Sequence, residues 1–586
     1  MATRPTDTAD SLIRTGDIGR AVATLRTALR RDPSDADALS LLTTALLRSG
    51  DATGAEGSAQ RLAQLRPGDY RAWHNLGHTL LHFGRVADAE DPLVRARALA
   101  PDDPHVLLAC ANLYSATDRW TLSQEACREG LTRAPEDTRF LTNLAIALHG
   151  AGRVEEAMPL VERACQLAPA RLDHADAIAA MSTYAPGIGP LQSLVLHRRY
   201  GALLEGATAP LPHRHARTTP DHPVTVGLLS PDLRDHAVAR FVLPVIMHAD
   251  PRAVRFIAYS LAGREDTVSD QLRPYCYAWR HVPYLPHGEI AQRIRSDGVD
   301  VLLDLAGHTR GHRLAVMALS PAPSQATWMG YPNTTGLTRV GARISDPIAD
   351  PAAPEPHNTE RLVHVGPCLV AFPRPADLPP AREPDAPVSF VSFSSLLKVN
   401  NALLRSWARV LARVPGSTLT LKHHALADPG VRSHMAGQFS TLGVDPARVR
   451  LDLPSRTSAG VLPAYGAADI ALDTFPYAGT TTTCEALSMG VPVVTRAGET
   501  SASRVGSSLL SAVGLPELVA TSEDGFVDAA ASLALDRPRL TRLRTALRDS
   551  YPRTALADAP RFGERMGTLL AGLAPTKTIT PGVGPG

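Results

Sequence analysis

The chain is poor in cysteine, in aromatic residues and in net charge. Six cysteines among 586 residues, with no C-x-x-C pair, argue against a disulfide framework and against structural zinc. Positive and negative charges nearly cancel, at +2 with a pI of about 8.2, so the electrostatic footprint of a nucleic-acid partner is missing. No run of roughly eighteen apolar residues is present, so no membrane span is expected. The opening "MATRPTDTADSL" has no apolar signal core, and the expectation is a soluble protein of the reducing cytoplasm. Neither G-x-x-x-x-G-K-[ST] nor a G-x-G-x-x-G after a strand occurs, so neither a P-loop NTPase nor a standard dinucleotide fold is supported. Asp35 to Asp37 is the only Asp-x-Asp, and it lies in the helical first third, so no metal-held pyrophosphate is expected. What the chain does have is length for several domains and a 44% hydrophobic content, ample for full cores.

The first third is periodic. Pro33, Pro67, Pro101, Pro135 and Pro169 recur every 34 residues. Gly16, Gly50, Gly84 and Gly152 keep the same spacing, with Asp118 where one more glycine would fall. Ala21, Ala55, Ala89 and Ala157 form a third series, with Ser123 in the gap. A turning glycine, a small residue for close helix packing and a proline past the second helix describe two helices per repeat. Trp73, Leu76, Gly77, Ala89 and Pro101 resemble the tetratricopeptide consensus. Five repeats over about residues 2–170 are expected, with a helical continuation to about 205. Such a stack presents a concave surface for peptides or proteins. Asn75 and Asn143 share one repeat position and are candidates for contacting an acceptor peptide backbone, although Leu41 and Ala109 interrupt the ladder.

After a linker at 206–222 the pattern changes to short β-branched runs separated by helical stretches. "VTVGLLS", "RFIAYSL", "VDVLLDLAG" and "QATWMGYP" lead one series. "VSFVSFS", "STLTLKH", "RVRLDLP", "DIALDTFP" and "PVVTRAG" lead a second. This is the signature of parallel sheets with crossover helices. The expectation is two open α/β domains, 223–375 and 387–570, a proline-rich linker at 376–386 and a disordered tail at 571–586. Ligands of such sheets bind at the carboxyl ends of the strands.

One stretch stands at such an end. In "LDTFPYAGTTTTCEALSMG" four threonines, Thr480 to Thr483, follow a glycine and open a helix. Threonine is a good N-cap and a poor interior helix residue, so four together make a surface of hydroxyls and free amides that suits a phosphate or diphosphate. Without a metal, that anion needs a fixed cation, and Lys398, ending "SFSSLLK" after the first strand of the second domain, is placed to supply it.

The repeats followed by "LSPDLRDHAVARF", "DGVDVLLDLAGHT", "PAPSQATWMGYPNTTG", "LDTFPYAGTTTTCEALSMGVPVVT" and "SASRVGSSLL" resemble the O-GlcNAc transferase and SPINDLY family over nearly the whole chain. The resemblance implies a tetratricopeptide arm joined to a GT-B glycosyltransferase of two facing Rossmann-like domains. It implies transfer of a sugar from a nucleotide sugar to Ser or Thr of proteins, with inversion, no metal and no cofactor beyond that co-substrate. It assigns His236 as the essential active-site histidine, base or orienting residue, and Lys398 as the cation on the leaving diphosphate. Thr480, Thr481 and Thr482, with Gly479 and Ser395, fall at the diphosphate and sugar contacts, Glu485 at the ribose, and Gly330 and Pro332 at the sugar pocket.

This chain departs from the family pattern at Ser394 and Ser395, in place of paired amides, and at Gly341 and Ala342, in place of Asp-Tyr. It departs again at Ala278, in place of a histidine, and at Thr480, a histidine in the animal enzymes. GlcNAc from UDP-GlcNAc is the expected donor. GDP-fucose, used by plant SPINDLY members, is the alternative, because "GYPNTTG" and "AGTTTTCE" are nearest to SPINDLY. A GT-B sugar-nucleotide epimerase and a non-catalytic repeat scaffold are the rival readings.

Overall fold

The computed structural model describes residues 4–212, 222–352, 356–374, 378, 382, 386–454 and 462–575. Most of the two expected linkers, and the expected tail from 576 on, lie outside the described residues. The chain divides into two compact units: Met1–His174 with Pro283–Glu289 and Ala427–Arg432, and the remainder.

The first unit is built from five helix pairs, from Pro5–Thr15 and Ile18–Arg31 to Thr138–Gly150 and Val154–Leu167. The 34-residue glycines sit where φ is positive, from 69° at Gly84 to 85° at Gly16, and Asp118 takes the same turn at 55°. Aspartate tolerates this left-handed conformation better than most side chains, so the repeat survives the substitution. Ala21, Ala55, Ala89, Ser123 and Ala157 are fully buried between paired helices. Asp35, Asp69, Asp103 and Asp137 cap the first helix of successive repeats by accepting its backbone N–H groups. They too recur every 34 residues, a fourth series that the sequence reading passed over, each cap being worth about 1 kcal/mol. Two loops group with this unit. Tyr284 packs edge-on against Phe83 and donates its hydroxyl to the Phe83 carbonyl (2.6 Å). Asp428 accepts the N–H of Thr121 (2.8 Å) and its hydroxyl (2.6 Å).

The second unit contains two wholly parallel sheets. The first has β1 (Val224–Ser230), β2 (Val254–Ser260), β3 (Ala278–His281), β4 (Val301–Asp304), β5 (Ser324–Trp328), β6 (Ala342–Ser345) and β7 (Arg361–His364), in the order β3-β2-β1-β4-β5-β6-β7. The second has β8 (Ser389–Ser392), β9 (Thr418–Lys422), β10 (Val449–Asp452), β11 (Ile470–Leu472), β12 (Val493–Arg496) and β13 (Val519–Ala520), in the order β10-β9-β8-β11-β12-β13. Both are doubly wound, and the strand order reverses between β1 and β4 and between β8 and β11. These are the points where such sheets open a crevice for ligands. Four strands are not legible in the sequence: β3 (AWRH), β6 (ARIS) and β7 (RLVH), in which arginine, histidine or serine breaks the apolar run, and β13, of two residues.

Chain order and packing part company twice. The closing helix Ala559–Leu573 lies on the first lobe, where a Cβ on Gly563 would stand 2.6 Å from the Pro244 carbonyl oxygen and Phe562 stacks on Trp328 at 6.1 Å. It also carries ordered structure three residues past the expected start of the tail. The helical continuation, Leu172–Ser182 and Pro190–Gly206, was grouped with the repeats by its helicity. From Ala175 on it belongs to the α/β unit. Gly201 lies so close to the backbone of Gly336, in the loop after β5, that a side chain there would strike the Gly336 carbonyl.

Candidate active site

The second lobe's switch point is organised by a residue that the sequence reading missed. Asp473, the first residue after β11, is buried. Its carboxylate accepts the N–H groups of Thr474 (2.8 Å) and Gly479 (2.7 Å) and the hydroxyl of Thr495 (2.8 Å). Burial raises its pKa, against those donors and Lys398. Six residues of chain are thereby folded into a tight loop. The signal was an Asp immediately after a buried strand and six residues ahead of a glycine, the pattern of a side chain closing a turn. Gly479 serves that loop: its N–H is given to Asp473, and a Cβ there would stand 2.6 Å from Thr482 Oγ1.

Thr480 caps the helix Thr481–Ser488 without a side-chain bond. Its carbonyl accepts the N–H of Cys484 (3.0 Å). Among the described residues no acceptor meets the N–H groups of Thr481, Thr482 or Thr483. Free amides at a helix N-terminus are an anion site. Ser394 Oγ lies 3.3 Å from Thr482 Oγ1, joining the loop after β8 to this terminus. Ser395 instead caps its own short turn, accepting from Leu397 N–H at 3.4 Å. A small cavity opens between the ends of β8 and β11, lined by Ser392, Ser394, Tyr465, Asp473 and Thr482. The buried Ser392 hydroxyl has no partner there.

Lys398 reaches the same loop. Its Nζ donates to the Ala478 carbonyl (3.2 Å) and lies 4.1 Å from the centroid of the Tyr477 ring. Tyr184, from the helical continuation, stacks on the same Tyr477 ring at 4.7 Å and 20°. Burial pushes the Lys398 ammonium down to about 8, and Asp473 only partly offsets this. A group poised this way takes up a proton when an anion arrives. Below about pH 8 the lysine is already charged and nucleoside-diphosphate affinity is flat. Above it, each binding event costs a proton, and affinity is expected to fall by up to about tenfold per pH unit. Calorimetric titration from pH 6 to pH 10 measures this, and a flat profile would remove Lys398 from the anion site.

At the first lobe's switch point, the loop after β1 delivers His236, which caps the helix Ala237–His248. Its Nδ1 accepts the Val238 N–H (3.3 Å), while Asp232 stands 3.6 Å from the same nitrogen, beyond hydrogen-bond range. Burial lowers the histidine pKa and raises that of Asp232, each opposed by the other's charge. One turn further, Arg240 pairs with Glu485 at 2.7 Å. Glu485 is one turn inside the threonine-capped helix, so this pair ties together the two helices whose N-termini carry His236 and Thr480. Glu485 is 5% exposed, and its raised pKa comes from burial against the pull of Arg240. The carboxylate expected at a ribose therefore already holds a cation. Arg240, four residues past His236, was legible only as a helix-spaced neighbour.

The loop after β5 holds Gly330 and Pro332. Met329 adopts φ 63°, a strained value for a side-chain-bearing residue. Gly330 lies against the Leu305 carbonyl, leaving no room for a Cβ, and Pro332 is buried. In the repeats, Asn75 Nδ2 donates to Ser40 Oγ (3.3 Å) and Asn143 Nδ2 to Asn112 Oδ1 (3.1 Å). Each bond joins the first helices of adjacent repeats, through partners outside the 34-residue register. Among the described residues, no cluster of three or more His, Cys, Asp or Glu could hold a metal ion. No helix among them is long and apolar enough to cross a membrane.

Two doubly wound lobes, with unpartnered helix amides at one switch point and a histidine at the other, have the architecture of the GT-B glycosyltransferases. Comparison with known proteins agrees. The family described as glycosyl transferase family 41 matches residues 204–370 and 381–566, and tetratricopeptide repeat models match 6–70, 46–113 and 108–171. The chain belongs to glycosyl transferase family 41.

Its relatives include the Arabidopsis thaliana protein named as a probable UDP-N-acetylglucosamine–peptide N-acetylglucosaminyltransferase SPINDLY. That protein is 38% identical over 58% of this chain and 38% of its own length. The Arabidopsis protein named SEC, with the same probable activity, is 28% identical over 58% of this chain and 36% of its own length. The chain thus matches under two fifths of the length of these curated relatives. A solved mutant O-GlcNAc transferase of Thermobaculum terrenum superposes with a TM-score of 0.81 at 30% identity, covering 86% of this chain and 97% of its own.

Proposed function

We propose that the chain transfers a sugar from a nucleotide sugar to Ser or Thr hydroxyls of proteins, inverting the anomeric centre without a metal, with GlcNAc from UDP-GlcNAc as donor. The observation that carries this is the convergence of Lys398 with the unpartnered amides of Thr481–Thr483. When an acceptor oxygen attacks the anomeric carbon, the sugar–phosphate bond breaks and negative charge grows on the departing diphosphate. A lysine and a helix N-terminus fixed in advance stabilise that charge most where it is greatest, in the transition state. A buried lysine costs energy, and a decayed scaffold would have no use for it.

His236 accepts a backbone N–H on Nδ1, so its neutral ring carries the proton on Nε2. That tautomer favours orienting an acceptor or sugar oxygen by donation over abstracting its proton. Asn75 and Asn143, in the repeats, are the proposed contacts for acceptor peptide. The second donor reading, fucose from GDP-fucose, is favoured by Thr480 and by the "GYPNTTG" loop.

The test is incubation with radiolabelled UDP-GlcNAc and, separately, GDP-fucose, with protein acceptors and excess chelator. Label in protein supports the reading and names the donor. Free epimerised sugar points to an epimerase, and no turnover of either donor contradicts a transferase.

A further inference from the structure

The loop after β5, "GYPNTTG", is held from outside both lobes' sheets by side chains of the helical continuation. Asp176, on the helix Leu172–Ser182, lies 2.6 Å by Oδ1 from Nδ1 of His308 and 3.0 Å by Oδ2 from Nε2 of His312, both on the loop after β4. His308 Nε2 lies 3.0 Å from the Thr335 carbonyl. Both partners of the His308 ring are acceptors, so the ring satisfies them only with both nitrogens protonated, as a cation against the carboxylate. Burial pushes the Asp176 carboxyl up, but the two imidazoles hold it well below the ordinary range.

A second chain of bonds has its directions fixed by its ends. His197 Nδ1 donates to the Ser193 carbonyl (2.7 Å), so its Nε2 accepts the Tyr331 hydroxyl (2.8 Å). That leaves the Thr183 hydroxyl to donate to Tyr331 (2.6 Å) and to accept from Asn333 Nδ2 (3.1 Å). Burial drops His197 to about 3, in keeping with a neutral acceptor ring. Tyr331, Asn333 and Thr335 are alternate residues of one loop: the continuation grips Tyr331 and Asn333 directly and Thr335 through His308, while Glu360 accepts the Thr335 N–H (2.7 Å) and hydroxyl from the other side.

We propose that Asp176 is a positioning residue of sugar transfer, which sets the loop carrying Gly330 and Pro332 through the His308 cation that bridges the carboxylate to Thr335. This rests on the transferase reading of the same site. The carboxylate touches no reacting atom; it fixes His308, and His308 fixes the loop backbone. In Asp176→Asn one imidazole keeps an acceptor while the other faces an N–H₂ donor, so the clasp opens without a change of size. Displacing a reacting group by about 1 Å costs about 10² in rate.

The experiment compares the wild-type full chain with Asp176→Asn and with His312→Asn, which removes a bond at the less buried end of the cluster. It reads kcat, nucleoside-diphosphate Kd, thermal melting, and hydrogen exchange of residues 305–312 and 329–337. A kcat lowered about 10²-fold, with Kd unchanged, a lower melting temperature that still leaves the chain folded under assay conditions, and faster exchange confined to those two loops, is the expected result. Unchanged kcat and exchange, or parallel loss of kcat, Kd and melting temperature, overturns the proposal. Faster loop exchange in the variants, with no transfer by the wild type from either donor, supports the clasp and sinks the transferase reading instead.

Discussion

Lys398→Met is expected to lose about 10²–10³ in kcat, or about 2.7–4 kcal/mol of transition-state stabilisation, while remaining folded. Among the described residues the lysine side chain makes one hydrogen bond, to the Ala478 carbonyl, and lies over the Tyr477 ring. Methionine keeps the stem and the contact with the ring. The charge does not support the fold; it weighs against it. A lysine lowered to about 8 from 10.5 is one whose charged form the fold disfavours. That penalty is present in full below about pH 8 and is relieved as pH rises toward 10.5, so removing the charge at neutral pH takes away a cost. The ground-state loss is expected to be smaller than the rate loss, because the helix amides still hold the diphosphate. Thr481→Val should lower kcat less than Lys398→Met, for the same reason. Single-turnover transfer beside nucleotide titration separates the two effects. Near wild-type kcat in Lys398→Met would mean that the leaving group departs elsewhere.

Two truncations should behave in opposite ways. Deleting residues 1–170 removes the repeats and leaves Asp176, Thr183, Tyr184, Ser193 and His197 in place. Nucleoside-diphosphate binding and donor hydrolysis should survive, and transfer to folded protein acceptors should be lost with the concave surface. Deleting residues 1–206 should destroy the catalytic unit. His308, His312, Tyr331 and Asn333 would be stranded, at about 1–3 kcal/mol for each buried group left without its partner. Together these approach the about 5–15 kcal/mol that hold a whole domain. Tyr477 would also lose the Tyr184 ring. Circular dichroism, melting and calorimetry on both truncations decide this. A longer truncation that folds and binds nucleotide as the shorter one does would show the continuation to be dispensable.

The repeats were legible because one spacing governs turn, small residue and proline at once. The asparagine reading was less complete, since Ser40 and Asn112, the partners that Asn75 and Asn143 meet, lie off the repeat register. Strands set in apolar runs were legible, even β11 of three residues, and those broken by arginine or histidine were not. At the site, the threonine run and Lys398 could be placed at strand ends from local pattern alone. Asp473, which folds the loop between them, hid in plain sequence because its role is to accept backbone N–H groups that a sequence does not display. Asp176 was out of reach for a different reason. It sits on a helix that continues the repeats in pattern, and only three-dimensional packing shows that it serves two loops some 130 to 160 residues further along. Arg240 and Glu485 meet across 245 residues of chain, and no local signal pairs them.

A metal-free diphosphate site made by Lys398 and the helix that opens at Thr480 is the centre of the proposed transfer. Its most direct measurement is calorimetric titration of UDP and GDP, in excess chelator, into the full chain and into Lys398→Met. Saturable one-site binding of at least one nucleotide by the wild type is expected, unaffected by chelator and weakened in the variant. Binding that collapses on chelation, or that is identical in the two proteins, would contradict it.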